Sequence, residues 1–270
     1  MRVRVLGCGT SSGVPMIGCH CAVCSSDDPR NQRRRCAITI QSRETTILVD
    51  TPPELRLQCV EAGIDWIDAV LYTHAHADHV NGIDDLRSLN NAMDRRIDAY
   101  ADARVLEKIR SRFDYAFQAP DPARGWFRPC LKPTAMDGPF LVGDLLVRPI
   151  EQRHGNGPSW GFRVGDVAYS TDTDGLSEQA LGSLENLDLW IVDCLRENPH
   201  PSHAHLEMTL GWIERLKPKR TILTHMSHEL DFSDLAAKLP DGVEPAVDGM
   251  VIDLGWPHGR KERFAPPLCG

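Results

Sequence analysis

Thr73-His74-Ala75-His76-Ala77-Asp78-His79 sets three imidazoles and a carboxylate within six residues, directly after the apolar run at 69–72. A packed core does not hold such groups unpaired, because burying an unsatisfied polar group costs free energy. They need a metal ion or solvent. On an extended or turning backbone His74 and His76 point to one side while Asp78 and His79 swing to another, so one short loop can serve two adjacent ions. Further ligand types follow other apolar runs: His154 after the run ending at Ile150, Asp172 after Ser170, and His225 after Thr224. A lone histidine in such a place is unremarkable, but the repetition predicts a dinuclear site. His and Asp ligands suit Zn or Mn.

A second cluster, Cys19-His20-Cys21-Ala22-Val23-Cys24, brings three thiols close enough to hold one structural zinc. Spacing alone leaves the fourth ligand open among His20, Cys36 and His228. Gly7-Cys8-Gly9-Thr10-Ser11-Ser12-Gly13 follows the first apolar run and can present backbone N–H groups, with Ser12, to a phosphate. It lacks the Gly-Lys-Ser/Thr ending of a nucleotide loop. Arg196 follows the run at 189–193 as a candidate anion clamp, with an ordinary salt bridge as its rival reading. In His200-Pro201-Ser202-His203-Ala204-His205, ahead of a helical pattern, any of the three imidazoles can serve as a proton donor.

The elements that position these residues are those of an α/β protein. Short Val- and Ile-rich runs predict strands over 3–6, 37–41, 46–50, 69–73, 145–150, 161–164, 167–170, 189–193 and 221–224. Helical spacing covers 53–62, 104–112, 176–184, 206–216 and 233–239. Arg163-Val-Gly-Asp-Val reads as a hairpin with a Gly-Asp turn, which makes part of the sheet antiparallel. No linker divides the chain, so residues 1–270 are expected to form one domain, with a zinc-binding loop at about 18–36. An aromatic-rich excursion at about 113–138 carries Phe113, Tyr115, Phe117, Trp126 and Phe127, whose rings are expected to anchor it on the core, with a lid or dimer contact as the alternative. Apolar residues make up 41 % and no apolar run exceeds four residues, which excludes a membrane span. The first residues show no apolar leader core, so the cytoplasm is the expected location. A net charge of −8 argues against a stable nucleic-acid partner.

With His74, His76, Asp78 and His79 in this order, the sequence resembles the metallo-β-lactamase superfamily. The resemblance implies an αβ/βα four-layer sandwich: two mixed β-sheets with outer helices and metals at the sheet edge. Carried onto matching positions, it gives His74, His76 and His154 to one ion and Asp78, His79 and His225 to the other, with Asp172 bridging. Asp50 matches an early buried aspartate that supports the ligands. Gly18-Cys19-His20-Cys21-Ala22-Val23-Cys24 and the pair His225 and His228 are similar to the phosphodiesterases of the carbon–phosphorus lyase pathway. That likeness implies a structural zinc on Cys19, Cys21, Cys24 and His228. It also implies hydrolysis of small cyclic phosphodiesters, such as phosphoribosyl 1,2-cyclic phosphate or 2′,3′-cyclic nucleotides, by a hydroxide activated between the metals. Related phosphodiesterases favour His203 as the acid, and Asp78 counts with it as catalytic through its metal. The rival readings are a tRNA 3′-processing endoribonuclease, a glyoxalase-II-type thioesterase and a non-catalytic metal- or nucleotide-binding module.

Overall fold

The computed structural model describes residues 1–121 and 123–255; Pro122 and residues 256–270, which the expected domain and excursion include, lie outside the described residues. Six strands build the first sheet in chain order: β1 (Arg2–Gly7), β2 (Ala37–Gln41), β3 (Thr46–Val49), β4 (Ala69–Leu71), β5 (Ile97–Ala101) and β6 (Leu131–Ala135). The next seven build the second: β7 (Phe140–Val142), β8 (Leu145–His154), β9 (Gly157–Val164), β10 (Val167–Ser170), β11 (Leu189–Asp193), β12 (Thr221–Thr224) and β13 (Val243–Pro245). A last strand, β14 (Val251–Asp253), returns to the first sheet beside β1, so each sheet has seven strands. Both are mixed. β3 to β6 are parallel and β10 to β13 are parallel, while the hairpins at β1–β2–β3 and β7 to β10 are antiparallel.

Alternation along the strands explains how two sheets and their helices share the apolar residues. In β3, Ile47 and Val49 enter the core between the sheets, with Phe162, Ile191 and Ile222, whereas Leu48 faces the opposite layer. That outer layer consists of α1 (Leu55–Ala62), α2 (Ala77–Val80), α3 (Leu86–Met93) and α4 (Ala103–Arg112), whose Leu55, Val80, Leu89 and Ile109 pack on it. On the other side α5 (Glu178–Ser183), α6 (Leu206–Leu216) and α7 (Phe232–Ala236) add Ala180, Ile213 and Leu235 to the large core. Burial on both faces is why β3, β4 and β11 read as continuous apolar runs. The two sheets with their helices form the expected α/β sandwich.

Several boundaries differ from expectation. β8 continues past Ile150 to His154, because Gln152 and His154 keep the buried alternation through exposed Glu151 and Arg153. His154 therefore sits on the strand and not after it. Five strands go unread: β5 holds Asp98 and two alanines in five residues, β6 carries Pro133 on a sheet edge, and β7, β13 and β14 have three residues each. α2 and α3 are likewise additional, and α3 buries Leu86, Leu89 and Met93 on one face. The aromatic excursion is anchored: Phe113, Tyr115 and Phe117 pack against the helical layer, Trp126 Nε1 donates to Asp94 at 2.9 Å, and residues 131–135 are strand. The Gly165-Asp166 turn closes a hairpin as expected, with Val164 opposite Val167. Among the described residues no helix is long and apolar enough to cross a membrane.

Candidate metal centre

The ends of the strands converge on one edge of the sandwich. Asp50 follows β3, the His74–His79 loop follows β4, His154 ends β8, Asp172 follows β10, Asp193 ends β11 and His225 follows β12. In parallel sheets this is the edge where binding residues collect, since successive strands deliver their loops to the same side. Asp50, Asp172 and His225 have φ of 64°, 52° and 58°, the left-handed region that costs a non-glycine residue about 1–3 kcal/mol. The chain accepts that strain at the residues that must leave a strand sharply. Within the signature, the turn from extended backbone into α2 separates His74 and His76 from Asp78 and His79.

Two ligand sets result, and they share one residue. His74, His76, His154 and Asp172 each offer an atom within 4.8 Å of the others, and so do Asp78, His79, Asp172 and His225. His76 Nδ1 lies 3.3 Å from His154 Nε2, and His79 Nε2 lies 3.1 Å from Asp172 Oδ1 and 3.3 Å from Asp78. His225 Nε2 lies 3.4 Å from Asp172 Oδ1, and His74 Nε2 is 3.7 Å from Asp172 Oδ2. Ligands bound tetrahedrally at 2.0–2.1 Å stand roughly 3.3 Å apart, so these are the edges of coordination polyhedra. The Nε2 atoms of His74, His79 and His225 are buried and lack a hydrogen-bond partner. Orphaned imidazole nitrogens beside shared carboxylate oxygens fit two divalent cations.

Hydrogen bonds behind the ligands fix their orientation. His79 Nδ1 donates to Asp50 at 2.6 Å, both side chains being fully buried, and Asp50 also accepts from the Thr73 amide and hydroxyl at 2.8 Å. Thr73 Oγ1 in turn accepts from His74 Nδ1 at 3.0 Å, and the Ser202 carbonyl accepts from His154 Nδ1 at 2.6 Å. In His74, His79 and His154 Nδ1 is thus engaged and Nε2 turned inward. Burial alone would raise the Asp172 carboxyl, but His225, His79 and His74 around it hold it well below the usual range. Burial and the neighbouring His79 push His74 well down, so it stays neutral. Ionised carboxylate and neutral imidazole are the forms that bind metals.

The cysteine cluster forms a separate group. Cys19, Cys21, Cys24 and His228 offer atoms within 4.8 Å of one another, with His228 Nδ1 at 3.8 Å from Cys19 Sγ and 3.5 Å from Cys21 Sγ. The Cys24 amide donates to Cys21 Sγ and, against the opposing effect of burial and with help from His228, brings that thiol down to about 6. Of the spacing candidates, His20 is exposed and Cys36 is buried against Thr224 and Gly9. The loops meet where Met226 N donates to Cys8 O and Thr10 N to Met226 O, and where buried Arg33 bonds the carbonyls of Ser227 and Leu230. His228 and His225 therefore hang from one braced segment.

Of the three candidate acids, His203 faces the centre. Its ring stacks on His225 with centroids 4.5 Å apart, and its Nε2 is 3.9 Å from Asp172 Oδ2. His200 accepts from Ser202 N at 3.3 Å, and His205 stands at the N-cap of α6. The residue the sequence reading missed is Asp193, which accepts from His203 Nδ1 at 3.0 Å and from the Thr173 amide at 2.9 Å. Its signal was present, an acid ending an apolar strand like Asp50 and Asp172. Burial would lower His203, but Asp193 and the more distant Asp172 and Asp78 raise it to about 9. Arg196 takes the salt-bridge role: its guanidinium donates to the carbonyls of Asn198 and Pro199 and meets Glu229 at 3.4 Å. Ser12 is half-buried, with its hydroxyl on Gly13 O at 3.1 Å.

Residues 45–226 match the family described as Beta-lactamase superfamily domain. The chain belongs to the metallo-β-lactamase superfamily. It is similar to a diphosphatase of the PhnP family, with 34 % identity, 94 % of this chain and 97 % of the other covered, and a TM-score of 0.87. The fold is shared with Zn²⁺-bound PqqB from Methylobacterium extorquens, at 18 % identity, TM-score 0.77 and coverage of 94 % and 100 %. It is shared too with the short form of human tRNase Z, at 20 %, 0.67 and coverage of 94 % and 99 %. A curated relative from Porphyromonas gingivalis, named octanoyltransferase, is 37 % identical over the whole chain, which spans 57 % of that longer protein. The centre thus lies where this superfamily fold gathers groups able to hold metal ions, at one edge of the sandwich.

Proposed function

We propose that this protein is a metal-dependent hydrolase that cleaves small phosphodiesters, cyclic ones included, with two Zn or Mn ions in the paired ligand sets and a zinc on Cys19, Cys21, Cys24 and His228. The observation that carries the reading is the sharing of Asp172 between two sets of buried, partnerless imidazoles at one sheet edge. When bound, such ions supply an activated water and neutralise charge on phosphoryl oxygens. His74, His76, His154, Asp78, His79 and His225, with Asp172 shared, would hold them, oriented by Asp50, Thr73 and the Ser202 carbonyl. His203 keeps a proton on Nε2 at neutral pH, because Asp193 engages Nδ1 and stabilises the charged ring. That proton goes to the departing oxygen as the P–O bond breaks, a step worth about 10²- to 10⁴-fold for a poor leaving group. The likeness to a PhnP-family diphosphatase supports phosphoryl chemistry, and eight free cysteines among the described residues suit the reducing cytoplasm.

His203→Ala should slow alkyl phosphodiesters by at least 10²-fold and p-nitrophenyl diesters by far less, measured as kcat on each. Equal losses on both would remove His203 from the acid role. A second reading, thioester hydrolysis, has one observation in its favour, the likeness to part of a protein named octanoyltransferase. Turnover of an octanoyl thioester with bis-p-nitrophenyl phosphate left intact would support that reading instead.

A further inference from the structure

A phosphodiester brings negative charge to the mouth of the centre, and the cation expected to meet it, Arg196, is spent on Asn198, Pro199 and Glu229. Among the described hydrogen bonds, one arginine reaches the signature loop: Arg112 Nη1 donates to the carbonyl of Ala75, between His74 and His76. Arg112 is exposed, and beside it His76 and Ala77 are the exposed residues of the signature. No ion pair among the described residues involves Arg112, whereas Arg34, Arg35, Arg95 and Arg153 each meet a carboxylate. Its position is held from behind. Arg112 is the last residue of α4, a helix capped by Asp102 and anchored by nearly buried Val105, Leu106 and Ile109. A guanidinium fixed through one nitrogen, with its remaining donors uncommitted, is already oriented for an oxyanion, so little freedom is lost on binding.

We infer that Arg112 is a substrate-binding residue that grips a phosphoryl oxygen at the mouth of the centre, beside His76. This rests on the phosphodiesterase reading for its substrate class but makes a claim of its own about anion binding. In metal-loaded protein, Arg112→Ala should weaken binding of inorganic phosphate, measured by calorimetry, by about tenfold. It should raise KM for bis-p-nitrophenyl phosphate to a similar extent while kcat stays within a few-fold and metal content is unchanged. Arg112→Lys, which keeps the charge, should restore part of the loss. Unchanged phosphate affinity would overturn the inference. So would a fall in kcat or in metal content at constant KM, which marks a brace for the signature loop. If the wild-type protein hydrolyses no phosphodiester, the functional reading falls, and the calorimetry still decides the role of Arg112.

Discussion

Asp50 shows how one side chain without a metal bond of its own governs the centre. Its carboxylate takes the proton-bearing nitrogen of His79 and both donors of Thr73, which in turn holds His74, so one residue reaches both ligand sets. Asp50→Ala should weaken metal binding by about 10- to 100-fold, read by competition with a chelator, and lower stability by about 1–3 kcal/mol through the donors left unpaired. Wild-type metal affinity in that variant would show that His79 is oriented by something else. At this scale the sequence was most legible for residues that share a short segment, because local spacing alone puts His74, His76, Asp78 and His79 in one loop. His154, Asp172 and His225 were legible through the strands that precede them. Asp193 carried a strand-end signal, but its role was not legible, since its partner His203 lies in a loop, and only the fold brings that loop beneath the end of β11.

Between residue and fold, the informative elements are the crossings of the β1–β2 loop with the segments after β12 and β13. Asp248, between β13 and β14, ties the two ends of the β1–β2 loop, accepting from the Cys8 amide at 3.0 Å and the Arg34 amide at 2.8 Å. Burial pushes its carboxyl up to about 6 in spite of those donors. A carboxyl raised on folding prefers its protonated form in the native state, so its contribution is full below the unfolded value of 3.8 and is lost as pH rises through about 6. The stability of the wild type relative to Asp248→Asn, measured by urea unfolding, should therefore fall by roughly 2 kcal/mol between pH 4 and pH 8. A difference that does not change with pH would contradict this. Element boundaries were legible where one period ran uninterrupted, as in β10, β11, β12 and α6. They were lost where three-residue strands, a proline in β6 or the single turn of α2 left too few residues to carry a period.

Across the whole molecule, a single arrangement links the parts: two seven-stranded sheets send parallel strand ends to one edge, where ligands 151 residues apart, from His74 to His225, meet. No local feature specifies that meeting. It follows from stacking the two halves face to face through Ile47, Val49, Phe162 and Ile191, so the integrity of the core and that of the centre are one matter. The most direct test is the metal content of the purified protein beside that of Asp172→Ala. Two overlapping sets and the cysteine group predict close to three ions per wild-type chain, and close to one, held by the thiols, once the shared carboxylate is gone. A wild-type chain carrying no ion beyond the thiol site, or a variant that keeps the full complement, would contradict the account.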